Sequence, residues 1–232
     1  MIRRFLRQKF GSVGIVLALV AIALLAMLSL ATQQRGGAAG LAVLVLAAGC
    51  ISKDASSGAL QMILARPIRR SEYLFGRYVG ILSAYALFLL FTLLLAALVP
   101  RAFSLLLTEP TLNPPLTALL AAAGGAWLAG TLVAAAVLFF STFLPGFGDV
   151  LAFVLLQFSF GIAGVVGTRF PAVANAATRA RENLMPEVEW GRIFRGEGLL
   201  EEPTGRFVLA LTVFLIAATV VFSRREFSYG QD

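Results

Sequence analysis

Long runs without a formal charge alternate with short charged segments along this chain. Residues 10–34, 36–52, 78–100, 110–148, 150–168 and 207–223 contain no Asp, Glu, Lys or Arg. A helix rises ~1.5 Å per residue, so about 20 residues cross ~30 Å of hydrocarbon. The 110–148 run exceeds one crossing, but Asn113-Pro114-Pro115 opens it and Ser141, Thr142, Pro145 and Gly146 close it, leaving 116–140. The 36–52 run is short and begins Gly36-Gly37, which predicts a tilted helix, one frayed at its outer end, or one continued past Lys53. The apolar runs are continuous and do not alternate at every second residue, the pattern of helices and not of a barrel. The expected fold is all-α and polytopic, a single membrane domain over 1–232 with six spans at about 11–33, 36–52, 78–99, 116–140, 149–168 and 207–223.

Charge adds orientation. If both termini are cytoplasmic, the inner segments hold Arg3, Arg4, Arg7, Lys9, Lys53, Arg66, Arg69, Arg70, Arg77, Arg224 and Arg225, against Arg35 and Arg101 in the two short outer loops. The remaining outer loop, 169–206, is balanced with six Arg and six Glu. Ile2, Phe5, Leu6 and Phe10 recur at helical spacing with Arg3, Arg4, Arg7 and Gln8 on the other face, predicting an amphipathic helix in the inner interface. A cleaved signal peptide fits less well, because the 10–34 run is longer than a signal core. Composition agrees: 59% hydrophobic and 13% charged residues, with a mean hydropathy of +0.88, describe an integral membrane protein. The net charge of +7 points to anionic lipid headgroups and not to nucleic acid, since no basic stripe interleaved with aromatics lies outside the spans. A plasma (inner) membrane, multi-pass placement follows as the expectation.

Several chemistries are excluded. The chain has no His, so His-dependent nucleophiles, haem ligation by His and most zinc sites are unavailable. Cys50 is alone and cannot form an intrachain disulfide. No carboxylate lies inside a predicted span, which argues against a proton relay. Asp149 comes nearest, at the inner start of the fifth span, where a helix cap or a turn charge is the ordinary reading. Neither Lys9 nor Lys53 sits in a phosphate-binding loop, so any ATP hydrolysis belongs to another chain. No catalytic residue, metal site or cofactor is expected in this one.

The polar segment 53–77 between the second and third spans is the place where a soluble partner could grip. Asp54, Ser56 and Ser57 offer N-cap oxygens, and Leu60, Ile63 and Leu64 share one side of a short helix that Arg66-Pro67 ends. Ser71 can cap the next helix, with Glu72 in its first turn, and that helix runs through Tyr73 and Tyr78 into the third span.

At these residues the chain resembles the membrane subunit of type 2 ATP-binding-cassette (ABC) transporters. The resemblance is carried by Asp54, Gly58-Ala59-Leu60, Ile63-Leu64, Pro67-Ile68, Arg70 and Gly76-Arg77, with Asp54, Ala59 and Arg77 standing where Glu, Thr and Lys are commoner. It implies a cytoplasmic coupling helix docked on an ABC ATPase subunit, with two such permeases and two ATPases per transporter, ATP and Mg being held by the ATPases. Carried over, Leu60, Ile63 and Leu64 dock in the ATPase groove, Asp54 and Arg70 flank it, Gly58 allows close approach and Pro67 transmits movement. The turn Phe143-Leu144-Pro145-Gly146-Phe147-Gly148-Asp149 resembles a second, smaller coupling contact.

Outside the membrane, Ala172 to Asn183 is helix-compatible and Pro186 breaks it, resembling the small external helices this family places before its last span. Gln157, Phe158, Ser159 and Gly161 are candidate pathway residues; Gly161, Gly164 and Gly167 permit close helix packing, the favoured reading of that stripe. The expected function is the transmembrane subunit of an ATP-driven exporter. The alternative is a membrane scaffold that docks its partner through the same loop without moving a substrate.

Overall fold

The computed structural model of the chain describes residues 17–23, 37–51, 54, 69–107, 115–144, 148–167, 169–186, 188, 193, 196 and 201–224. Six helices are assigned among them: α1 (Gly37–Ala47), α2 (Arg70–Leu107), α3 (Leu116–Ser141), α4 (Gly148–Val166), α5 (Pro171–Leu184) and α6 (Glu202–Arg224). Residues 17–23 are helical as well, and no strand occurs among the described residues.

Small residues decide which helix sits in the centre. In α3 the run Ala134-Ala135-Ala136-Val137-Leu138 is fully buried, five residues in succession, so neighbours must cover every face. Alanine leaves the backbone accessible to close approach, the usual device where lipid offers no hydrophobic contrast between helices. Accordingly α3 touches α1, α2, α4 and α6. Two tyrosines of α2 fix its register on α3: Tyr78 Oη donates to the Thr131 carbonyl at 3.1 Å and Tyr85 Oη to the Ala126 carbonyl at 3.2 Å. The Tyr85 ring occupies the space a side chain at Gly130 would need, a β-carbon there falling 2.3 Å from Tyr85 Cε1.

Four helices are long and apolar enough to cross a membrane: Arg70–Leu98, Leu116–Ser141, Gly148–Val166 and Glu202–Arg224. The six expected spans reduce to four among the described residues. With 11 residues, α1 covers roughly 16 Å and stops in a turn at 48–51. Apart from 17–23, the first expected span lies outside the described residues, as do the N-terminal interfacial helix and residues 53 and 55–68 of the coupling segment.

Two boundaries differ from the sequence reading. Helix α2 continues through Pro100 and Arg101 to Leu107, where an outer loop was expected. A helix of 38 residues rises ~57 Å, well over ~30 Å of hydrocarbon, and its stretch apolar enough to cross a membrane ends at Leu98, so Arg101 limits the crossing and not the helix. Ser71 does not cap this helix, which begins at Arg70; instead Glu72 Oε2 accepts the backbone N–H of Arg69 at 3.3 Å, one half of a capping box. On the other side, α5 ends at Leu184, just before Pro186, and Arg206 of α6 reaches Glu182 of α5 at 3.0 Å.

Candidate functional site

Backbone that leaves a helix near a membrane surface still needs partners, and the turn after α1 finds them in two other helices. Gly49 adopts φ 62°, the left-handed conformation that glycine takes at no steric cost. Its N–H donates to Asp149 Oδ2 at 2.8 Å, while Asp149 Oδ1 accepts the N–H of Val150 at 2.8 Å. Two residues on, the Ile51 N–H donates to Ser141 Oγ at 3.2 Å. Asp149 is fully buried, so both its oxygens are matched where leaving one unmatched would cost about 1–3 kcal/mol or more.

A second cluster follows at once. Asp54 pairs with the Arg77 guanidinium and accepts the Tyr73 hydroxyl at 2.8 Å, and that same hydroxyl accepts from Arg77 Nε at 3.3 Å. Arg77 also lies over the Tyr73 ring, 5.6 Å from its centroid, and the other side of the cluster is closed by Phe222, stacked on Tyr73 at 5.7 Å. Arg70 Nη1 donates to the Ser223 carbonyl at 2.7 Å, placing a cation at the C-terminal end of α6. No buried side-chain nitrogen or oxygen among the described residues lacks a partner. These bonds gather the end of α1, the start of α2, the α3–α4 turn and the end of α6 at one end of the bundle.

Along the exposed side of α4 lies an open apolar groove of ≈ 720 Å³ between α1 and α4, lined by Leu41 and Leu44 on one wall and by Phe153, Gln157, Phe158 and Gly161 on the other. Of α4 only Asp149 and Phe153 are buried, so its long apolar side chains face away from the chain's own core.

A family model described as ABC-2 family transporter protein matches residues 4–180. The chain belongs to that family. No curated protein and no solved structure matches it. As an ABC-2 family member the chain is a multi-pass membrane permease, the membrane component of an ABC transporter and not its ATPase. The matched region takes in the 53–77 segment, the α3–α4 turn and the groove, and it ends before α6.

Within this ABC-2 chain the sequence-derived site residues fall into three groups. Gly58, Leu60, Ile63, Leu64 and Pro67, together with Pro145 and Gly146, lie outside the described residues. Asp54 and Asp149 are buried and turned into the bundle, whereas Arg70 is exposed and Leu144 half-buried. Gln157, Phe158 and Gly161 line the groove, but Ser159 does not; its Oγ donates to the Leu156 carbonyl at 2.7 Å. A β-carbon on Gly161 or Gly164 would meet nothing within 4 Å, so neither is closely packed inside the chain, while one on Gly167 would fall 2.3 Å from Ala174 Cβ at the α4–α5 corner. Of the glycine stripe, close packing holds only at that corner. Gly49, Ser141 and Tyr73 carry bonds that local sequence did not assign; the sole hint was polar and glycine residues at the edges of apolar runs. No group of three or more His, Cys, Asp or Glu suited to a metal occurs among the described residues.

Proposed function

We propose that this permease is the transmembrane subunit of an ATP-driven exporter, working as a dimer with a second permease copy and with two cytoplasmic ABC ATPase subunits that hold ATP and Mg. Both termini are cytoplasmic in the plasma (inner) membrane, and the ATPases engage the 53–77 segment and the 143–149 turn. Membership of the ABC-2 family is the observation that carries this reading. The joining of the roots of both loops at one end of the bundle supports it, because a single soluble partner can then touch both. That end also carries Arg69, Arg70, Arg77 and Arg224, and along the sequence the segments assigned to it hold eleven Lys and Arg against Arg35 and Arg101 in the two short outer loops, the bias expected of a cytoplasmic face. The groove between α1 and α4 offers an apolar path with Gln157 as its polar member, and the bareness of α4 fits a second copy completing that path. The scaffold alternative requires a transporter family member that moves nothing, and family membership does not favour it.

Solubilised membranes test the assembly: the tagged chain is expected to retain an ABC ATPase subunit through purification. A single cysteine at Ala65 tests sidedness, with labelling expected only from the cytoplasmic face. Reaction from outside would invert the protein and remove the basis for coupling.

A further inference from the structure

The groove has a fastened inner end. Its two walls are α1, which carries Leu41 and Leu44, and α4, which carries Phe153 and Gln157. Asp149, Phe153 and Gln157 follow at intervals of four residues, so they form one stripe along α4. The stripe that lines the groove therefore begins with the carboxylate that accepts the Gly49 N–H just beyond the end of α1. The same turn, 48–51, is held at Ile51 by Ser141, and Asp54, which belongs to the coupling segment, is held by Tyr73 and Arg77.

We propose that Asp149 is a positioning residue whose carboxylate latches the two walls of the groove at their inner end, so that a displacement of the turn 48–51 is delivered to α4 and sets the width of the groove. The inference rests on the coupling reading above for the source of the displacement; the latch itself is a property of this chain alone. An ordinary role as a helix-start charge would need only the contact with Val150. It gives no reason for the bond to Gly49, 100 residues away in sequence. The latch explains both, and it explains why the turn after α1 uses glycine: the left-handed conformation at Gly49 is the one held while its N–H donates to Asp149.

The test uses the full-length chain in lipid nanodiscs with Cys50→Ala as background and nitroxide labels on cysteines replacing Leu41 and Ile162, both exposed and both on the groove. A control pair replaces Leu87 of α2 and Leu120 of α3, also exposed. Asp149→Ala is expected to shift the 41–162 distance distribution to longer values and broaden it, with the 87–120 distribution unchanged. Asp149→Ser, which keeps a small polar group in the first turn of α4 but is too short to reach Gly49, is expected to behave like the alanine variant. In complexes that retain the ATPase subunit, both variants are expected to keep the subunit and to lower ATP turnover by roughly fivefold or more, the range of a coupling contact. An unchanged 41–162 distance, a shift of both label pairs together, a serine variant that behaves like wild type, or a widened groove with normal turnover would each overturn the latch. If the unmodified chain retains no ATPase subunit, the proposed function fails, and the label distances alone decide the latch.

Discussion

Helices α3 and α4 are alike in sequence and opposite in surroundings. Both are uncharged apart from Asp149, and both are long and apolar enough to span a membrane, yet half of the apolar window of α3 is buried inside the chain against 11% for α4. Hydropathy measures transfer from water to hydrocarbon, and lipid and protein interior are equivalent by that measure. Burial is decided instead by side-chain size. The Ala134–Ala136 run and Gly130 let three helices and a tyrosine ring close on α3, whereas α4 presents Leu151, Leu155, Phe158 and Ile162 outward. The core helix has the small residues, and the bare helix holds the groove and its polar side chain.

The contrast can be broken most forcefully by truncation in the core. Leu138→Ala is expected to cost about 2 kcal/mol or more through the cavity it leaves, while Leu155→Ala, exposed in the folded chain, stays close to neutral. Thermal melts of the two purified variants check the difference, and equal melting points would refute the assignment of α3 as the hub. Next in size is Gly130→Ala, expected to destabilise by about 1–3 kcal/mol, because the Tyr85 ring it strikes is itself tethered to the Ala126 carbonyl. A melt of Gly130→Ala combined with Tyr85→Leu sharpens this: the penalty should largely vanish. Gln157→Ala and Phe158→Ala should leave the melting point within ~0.5 kcal/mol equivalent and change ATP turnover in the assembled complex. Smallest of all, Gly161→Ala should leave the fold of the single chain unaffected within ~0.5 kcal/mol, since nothing lies within 4 Å of the new methyl group.

Chain pattern made the helices legible and their partners illegible. Leu116–Ser141 and Gly148–Val166 lie where uncharged runs and their bounding Pro, Gly and Ser residues place them, because those signals act within a few residues. Arg101 closed the uncharged run and so the expected third span, but a charge limits the membrane crossing and not the helix, which runs on to Leu107. Ser71 misled because the very next residue, Glu72, reaches back to the N–H of Arg69 and fills the same need. Where α1, α2, α4 and α6 meet, Asp54 was legible as a cap and motif residue and Asp149 as a helix-start charge, but their bonds to Tyr73, Arg77 and Gly49 join residues up to 100 positions apart, and no local period encodes such a pairing. The glycine stripe of α4 looked like a packing surface, yet spacing alone does not say whether a partner helix is present, and for Gly161 and Gly164 none is found within the chain.

The most direct test of the central claim, that this ABC-2 permease is driven from its inner face by a separate ATPase, is ATP turnover by the purified complex carrying Leu64→Asp. The account predicts that a charge in the middle of the docking face either releases the ATPase subunit or leaves it hydrolysing ATP without control by the permease. A Leu64→Asp complex that assembles fully and turns over like the unmodified one would contradict it.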